Sequence, residues 1–218
     1  EYHQQKLDYL FDRFPDGEFY VNWIFPQNYF VGGQERFMFS GENGHHPITG
    51  GSIEHHTVPT LRNDGASQLQ HWLEEREMQI DMVKSGFRAV SWAKAPSGEE
   101  NWNNFPQEYG LFSYGTFLLT YEKDAEQYWG ARGTPAADKA LTLAEGPPAF
   151  VYIDLGEPSQ SFDAISDGEL AGYSNVYARE FAKGLVLVNP DAEAKVVELD
   201  QTYYDTQVEI EVTSVELP

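Results

Sequence analysis

Phe19-Tyr20-Val21-Asn22-Trp23-Ile24 is a nearly unbroken run of β-prone residues, and its lack of alternation decides the fold class. A strand with one wet face alternates apolar and polar side chains, whereas a strand covered on both faces, as in a parallel sheet, reads as a continuous run. Upstream, Leu7, Leu10, Phe11 and Phe14 recur at i, i+3, i+4 and i+7, the spacing of an amphipathic helix, and Pro15-Asp16-Gly17 supplies a turn. Downstream, Ile48 to Val58 reads as a second strand. Asn63-Asp64 offers a cap to a helix with Leu69, Trp72, Leu73, Ile80 and Val83 on one face, and Gly86 ends it. Phe87-Arg88-Ala89-Val90-Ser91-Trp92 is a third strand. Leu111, Tyr114, Phe117, Leu118 and Tyr121 form another helical stripe, and Gln127-Tyr128-Trp129 is a fourth strand.

The strand starts fall about 30 to 40 residues apart, the spacing of β/α units in a barrel of about 250 residues, so four units make half of a (β/α)8 barrel. Periodicity alone fits a small open α/β sheet equally well. Residues 1–133 therefore read as a partial β/α barrel of about four units, and residues 134–148, with paired prolines, as a linker holding a short helix at 138–143. From residue 149 to 218 the pattern changes. Phe150 to Leu155, Tyr177 to Phe181, Leu185 to Val188, Lys195 to Leu199 and Val208 to Leu217 are short strands without intervening helices, which predicts an antiparallel β domain.

Composition narrows the function. In 218 residues, 41 % hydrophobic and 15 % aromatic content excludes a disordered chain. Fourteen basic against 35 acidic residues give a formal charge of −21, which argues against nucleic acid and against an anionic membrane surface as partners. No apolar run is long enough to span a membrane. The absence of an initiator Met reads as processing or cutting, and the acidity suits a secreted or periplasmic setting. With no cysteine there is no disulfide framework and no thiol nucleophile. There is no Gly-x-Ser-x-Gly elbow, Walker loop or dinucleotide fingerprint to support an esterase, an NTPase or a Rossmann oxidoreductase.

The run Val176-Tyr177-Ala178-Arg179-Glu180-Phe181-Ala182-Lys183-Gly184-Leu185-Val186-Leu187-Val188-Asn189-Pro190, then Val196-Val197-Glu198-Leu199 and Thr202-Tyr203-Tyr204-Asp205, resembles the tail of TIM-barrel glycoside hydrolases. In these, a small all-β domain follows the last barrel helix. Asp154-Leu155-Gly156-Glu157-Pro158 and the aromatic helix before Tyr128-Trp129 are similar to the same group. The resemblance implies sugar chemistry at the carboxyl ends of the strands, with a polysaccharide or oligosaccharide as partner. It also implies that this chain holds the C-terminal half of the barrel. Half a barrel has open sheet edges, so a second chain, the missing N-terminal half or a homo-oligomer is expected to cover them.

At such a rim Glu54 is the first catalytic candidate, because glycosidic cleavage needs a carboxyl group on each side of the bond and Glu54 ends a strand beside two imidazoles. Asn22, His55 and His56 are candidate hydroxyl contacts, and Trp92, Trp102 and Trp129 candidate stacking platforms for the apolar faces of sugar rings. Trp72 belongs to the core by its helical spacing. The loop acids Glu35, Glu42, Glu99 and Glu100 read as solvated. His45-His46 and His55-His56 do not make a metal site, since neighbours in a strand point to opposite faces, and no cofactor is expected. Two rival readings stand beside hydrolysis: a non-catalytic carbohydrate-binding or assembly module, and a lyase for acidic polysaccharides using Arg36, Arg62 or Arg88 as the neutralising cation.

Overall fold

The computed structural model describes residues 2–22, 24, 26, 29, 48–54, 67–94, 107–132, 149–159, 169–205 and 210–218. Helix α1 (Tyr2–Arg13) buries Phe11 and packs Leu7 against Ile24, Ile48, Met78 and Met82. Phe14 lies beyond the helix and is 57 % exposed, off the apolar stripe that its spacing predicts. Pro15 accounts for this, because the residue before a proline is driven out of the helical region. The turn that follows returns the chain so that Phe19 meets the Phe11 ring edge-on at 4.5 Å.

Strands β1 (Tyr20–Asn22), β2 (Gly50–Glu54), β3 (Arg88–Lys94) and β4 (Gln127–Arg132) form one sheet in the order β1-β2-β3-β4, and each neighbouring pair is parallel. The fold is therefore α/β. Helices α2 (Gln68–Lys84) and α3 (Gln107–Thr120) connect these strands. Ser67 caps α2, accepting from the Gln70 amide at 3.2 Å, while Asn63 and Asp64 lie outside the described residues. The helix ends as the sequence predicts. Gly86 takes a φ of 77°, and the amides of Gly86 and Phe87 close back on the carbonyls of Val83 and Met82, both at 3.0 Å.

Small residues on one face of β3 let the helices approach closely. Ala89, Ser91 and Ala93 are buried, Ala89 against Met78 and Met82 of α2. Gln79 of α2 donates to Ser91 Oγ at 3.2 Å, and the Thr120 hydroxyl of α3 reaches Gln79 Oε1 at 2.8 Å. Trp72 Nε1 donates to Thr116 Oγ1 at 2.9 Å, which ties α2 to α3 through a core tryptophan. Leu111 is exposed where its spacing predicts burial, and Ser113, Thr116 and Thr120 of the same helix are buried instead. α3 is enclosed on two sides, so its buried polar positions are taken up by cross-layer hydrogen bonds.

The second enclosing layer is the hairpin of β5 (Tyr177–Phe181) and β6 (Gly184–Val188), whose Tyr177, Phe181, Val186 and Val188 share one cluster with Trp72, Phe117, Leu118 and Leu119. At Gly115 a Cβ would stand 3.1 Å from Val188 Cγ2, which shows how closely hairpin and helix approach. The remaining strands, β7 (Lys195–Asp205) and β8 (Ile210–Leu217), form a separate antiparallel ribbon. One expected strand is corrected: Ala149–Tyr152 is a 3₁₀ turn, and Phe150 plugs the base of the helix layer against Tyr114 and Trp129. Pro147 and Pro148 immediately precede it, and proline presets the helical φ of a first turn. The proposed linker at 134–148 lies outside the described residues.

Arg179 of β5 is fully buried and donates to the carbonyls of Leu118 (3.0 Å), Leu119 (3.4 Å) and Tyr121 at the end of α3. Burial pulls its pKa down to about 10, so the guanidinium stays charged at neutral pH and caps the negative end of the helix. Arg179→Leu leaves those carbonyls without donors in a closed site and is expected to cost at least about 2 kcal/mol in urea unfolding, with Arg179→Lys intermediate.

The turns of the β region are held by two carboxylates. Asp154 accepts from Lys183 and from the Gly156 amide, and Asp191 from Asn175, Lys195 and the Ala192 amide. Each set of hydrogen bonds holds its carboxyl below the ordinary value of 3.8. A depressed carboxylate pKa adds stability above the unfolded value and loses it as pH falls through the folded one. Asp154→Asn and Asp191→Asn should therefore lower stability at pH 7 and narrow the gap to wild type below pH 3.8, a trend read from denaturation midpoints across pH.

Candidate functional site

In a parallel sheet, residues in register share a face. Ile53, Ala89, Ser91 and Ala93 face the helices, and Trp129 joins them: its Nε1 donates to Ser113 Oγ at 3.1 Å and its ring packs on Tyr114 at 5.0 Å. The alternate positions make up the opposite face. There the register aligns Tyr20 with Gly50 and Arg88, Ser52 with Val90 and Tyr128, and position 54 with Trp92 and Gly130. Trp92 is 38 % and Tyr128 56 % exposed on this face, which no described helix covers.

The amino end of the face is a charge clasp. Arg88 donates to the Tyr20 hydroxyl at 2.7 Å and to Glu18, and bridges to Glu126 at 3.1 Å. The hydrogen bonds to Tyr20 and Glu18 push its pKa up, so its charge is permanent and already matched. The clasp needs Gly50. A Cβ there would stand 2.3 Å from the Arg88 carbonyl oxygen and 2.7 Å from its Cβ.

The carboxyl end is different in character. Trp92 lies with the six-membered edge of its indole over Gly130, where a Cβ would come within 2.7 Å of Cζ3. Glu54, the last residue of β2, is paired with Trp92, and Asn22, the last of β1, with Ser52, so the strand ends bring these positions to one rim. The side chains of Asn22 and Glu54 lie outside the described part of the structure. His55, His56 and Trp102 lie outside the described residues altogether, as do His45, His46, Glu35, Glu42, Glu99, Glu100, Arg36 and Arg62. Among the sequence candidates, then, Trp92 stands on the open face and Trp129 on the helix side. Arg88 sits at the end away from the rim, matched by Glu18 and Glu126, so it is not placed to neutralise an acidic substrate at the carboxyl ends.

Tyr128 was not singled out by the sequence reading. Only one of the adjacent Tyr128 and Trp129 can share a face with Trp92, and the register, which pairs Trp129 with Ser91 on the helix side, selects Tyr128. Among the described residues no group of three or more His, Asp or Glu is arranged to hold a metal ion. Neither the protein-family models nor the curated proteins include a match to this chain. Gly50→Ala forces the β2–β3 ladder apart and is expected to cost about 1–3 kcal/mol, measured by thermal or urea unfolding, although alanine is otherwise tolerated in strands.

Proposed function

We propose that this chain is the C-terminal half of a (β/α)8 barrel, followed by an antiparallel β module, from a glycoside hydrolase acting on a polysaccharide. The observation that carries the reading is the winding: β1 to β4 are parallel in strict sequential order, with α1, α2 and α3 on one face and exposed aromatic rings on the other. A doubly wound sheet reverses its strand order and places helices on both faces, whereas a barrel keeps sequential order and turns one face inward. The open face also sets glycines beside large residues, Gly50 between Tyr20 and Arg88 in one row and Gly130 beside Trp92 in another, as mixed large and small residues fill tapered barrel interiors. In this reading the upstream half of the polypeptide supplies the missing wall and the second carboxyl group.

Glu54 is the acid/base or nucleophile, at the rim where barrel enzymes hold their reactive groups. Trp92 and Tyr128 seat a sugar ring, and Asn22, His55 and His56 contact hydroxyls. Trp102 completes the subsites from its polar loop. The exposed pair Trp92 and Tyr128 favours a second reading, a module that binds a glycan without cleaving it.

One substitution separates the two. In the parent polypeptide, Glu54→Gln should lower turnover by at least about 100-fold while folding and oligosaccharide binding persist. Hydrolysis unchanged by that substitution rejects the role of Glu54. Binding without hydrolysis in the wild type selects the module.

A further inference from the structure

Glycine is a poor strand residue, and inside a strand it marks a bulge or a place where something must approach the backbone closely. Gly130 lies within β4, in regular register with Trp92 and with no bulge on either side. Its φ is not in the left-handed region, so backbone conformation does not call for glycine there. What requires it is the indole. A Cβ at 130 would stand 2.7 Å from Trp92 Cζ3, 3.0 Å from Cε3 and 3.5 Å from Cη2, all atoms of one side of the ring.

We infer that Gly130 is a positioning residue: by having no side chain, it seats the Trp92 indole across β4 as the floor of a sugar-ring subsite that Tyr128 extends. This rests on the carbohydrate reading above and adds to it the shape of the subsite. A cross-strand aromatic laid over glycine also has a purely structural use, shielding an edge strand. Such shielding uses only the side of the ring that faces the glycine and leaves the outer side open. Trp92 keeps 38 % of its surface open, and Tyr128, diagonal to it on the neighbouring strand, keeps 56 %. In register on this face, Ser52 and Val90 flank Tyr128 with small uncharged side chains, while Trp92 is paired with Glu54 and followed by the Lys94–Arg132 pair at the strand ends. Two exposed rings set diagonally on adjacent strands present an apolar shelf, and a pyranose offers such a shelf its C–H face while its hydroxyls turn outward.

The test uses the 218-residue chain, a panel of xylo-, cello- and manno-hexaoses, and two readouts. The first needs no sugar. Acrylamide quenching of the Trp92 signal, taken as the difference from Trp92→Phe, should change in Gly130→Ala while the unfolding transition stays cooperative. An unchanged signal overturns the positioning role whatever the sugar result. The second is binding of the hexaoses. At least one should bind, with affinity reduced about fivefold or more in Gly130→Ala, Trp92→Ala and Tyr128→Ala. In the Trp92→Phe background, where a smaller ring clears the added methyl, Gly130→Ala should cost less than in the wild type. Binding that ignores all three substitutions overturns the subsite and leaves the carbohydrate reading intact. No binding of any hexaose, with the Trp92 signal shifted by Gly130→Ala, overturns the sugar subsite together with that reading.

Discussion

The end of helix α3 is where two sheets become one structure. Its last carbonyls have no partners within the helix and are closed in on both sides, so some donor must reach them. Arg179 does so from β5, carrying a charge into a site where burial has already lowered its pKa to about 10. Burying an unpaired cation is costly, and here several carbonyls and the Phe181 ring at 5.5 Å share the charge in place of a carboxylate. The hairpin is thereby fixed on α3, and α3 is fixed on the parallel sheet directly by Ser113, which accepts from Trp129, and indirectly by Thr120, which reaches Ser91 of β3 by way of Gln79 of α2.

Because the helix layer is enclosed between the parallel sheet and the hairpin, the other face of the parallel sheet carries the distinctive surface. Right-handed crossovers in sequential order keep α2 and α3 on one side, and α1 joins them through Phe11 in the cluster of Met78 and Met82. On the open side two glycines make room for a neighbour in register: Gly50 for the backbone and Cβ of Arg88 at the amino end, and Gly130 for the Trp92 ring at the carboxyl end. Each glycine removes a side chain at a point where its neighbour in register needs the space. The same device thus appears twice along one face, once beside a backbone carbonyl and once under a ring.

The elements that the sequence makes legible are those whose signal is local. The unbroken run around Val21 reads as a parallel strand, Gly86 as a helix stop, and Trp72 as core, and the structure has each of them so. The first-helix stripe fails at Phe14 because proline chemistry at the next position overrides periodicity. The strand expected from Phe150 fails because Ala149–Tyr152 is a 3₁₀ turn instead, and Phe150 is buried either way. Ser113, Thr116, Thr120, Gln79 and Arg179 have no signature in the sequence. Their burial depends on which polar groups of a distant element face them, and only the tertiary arrangement supplies that. The same holds for Tyr128 against Trp129, two adjacent aromatics whose roles are divided by register alone.

Along the strands, the charge clasp and the exposed rings are separated. Arg88 is matched by Glu18, Glu126 and Tyr20, and its charge joins β1, β3 and the turn before β4. It lies where the strands begin, and in barrel folds that end serves stability. At the other end the Trp92 ring lies against Gly130, Tyr128 is mostly open, and β2 ends in register with Trp92 at position 54. The charge clasp thus stands at one end of the face and the aromatic rings nearer the other. That polarity follows from the parallel direction of the strands, since antiparallel neighbours would mix their starts and ends at both rims.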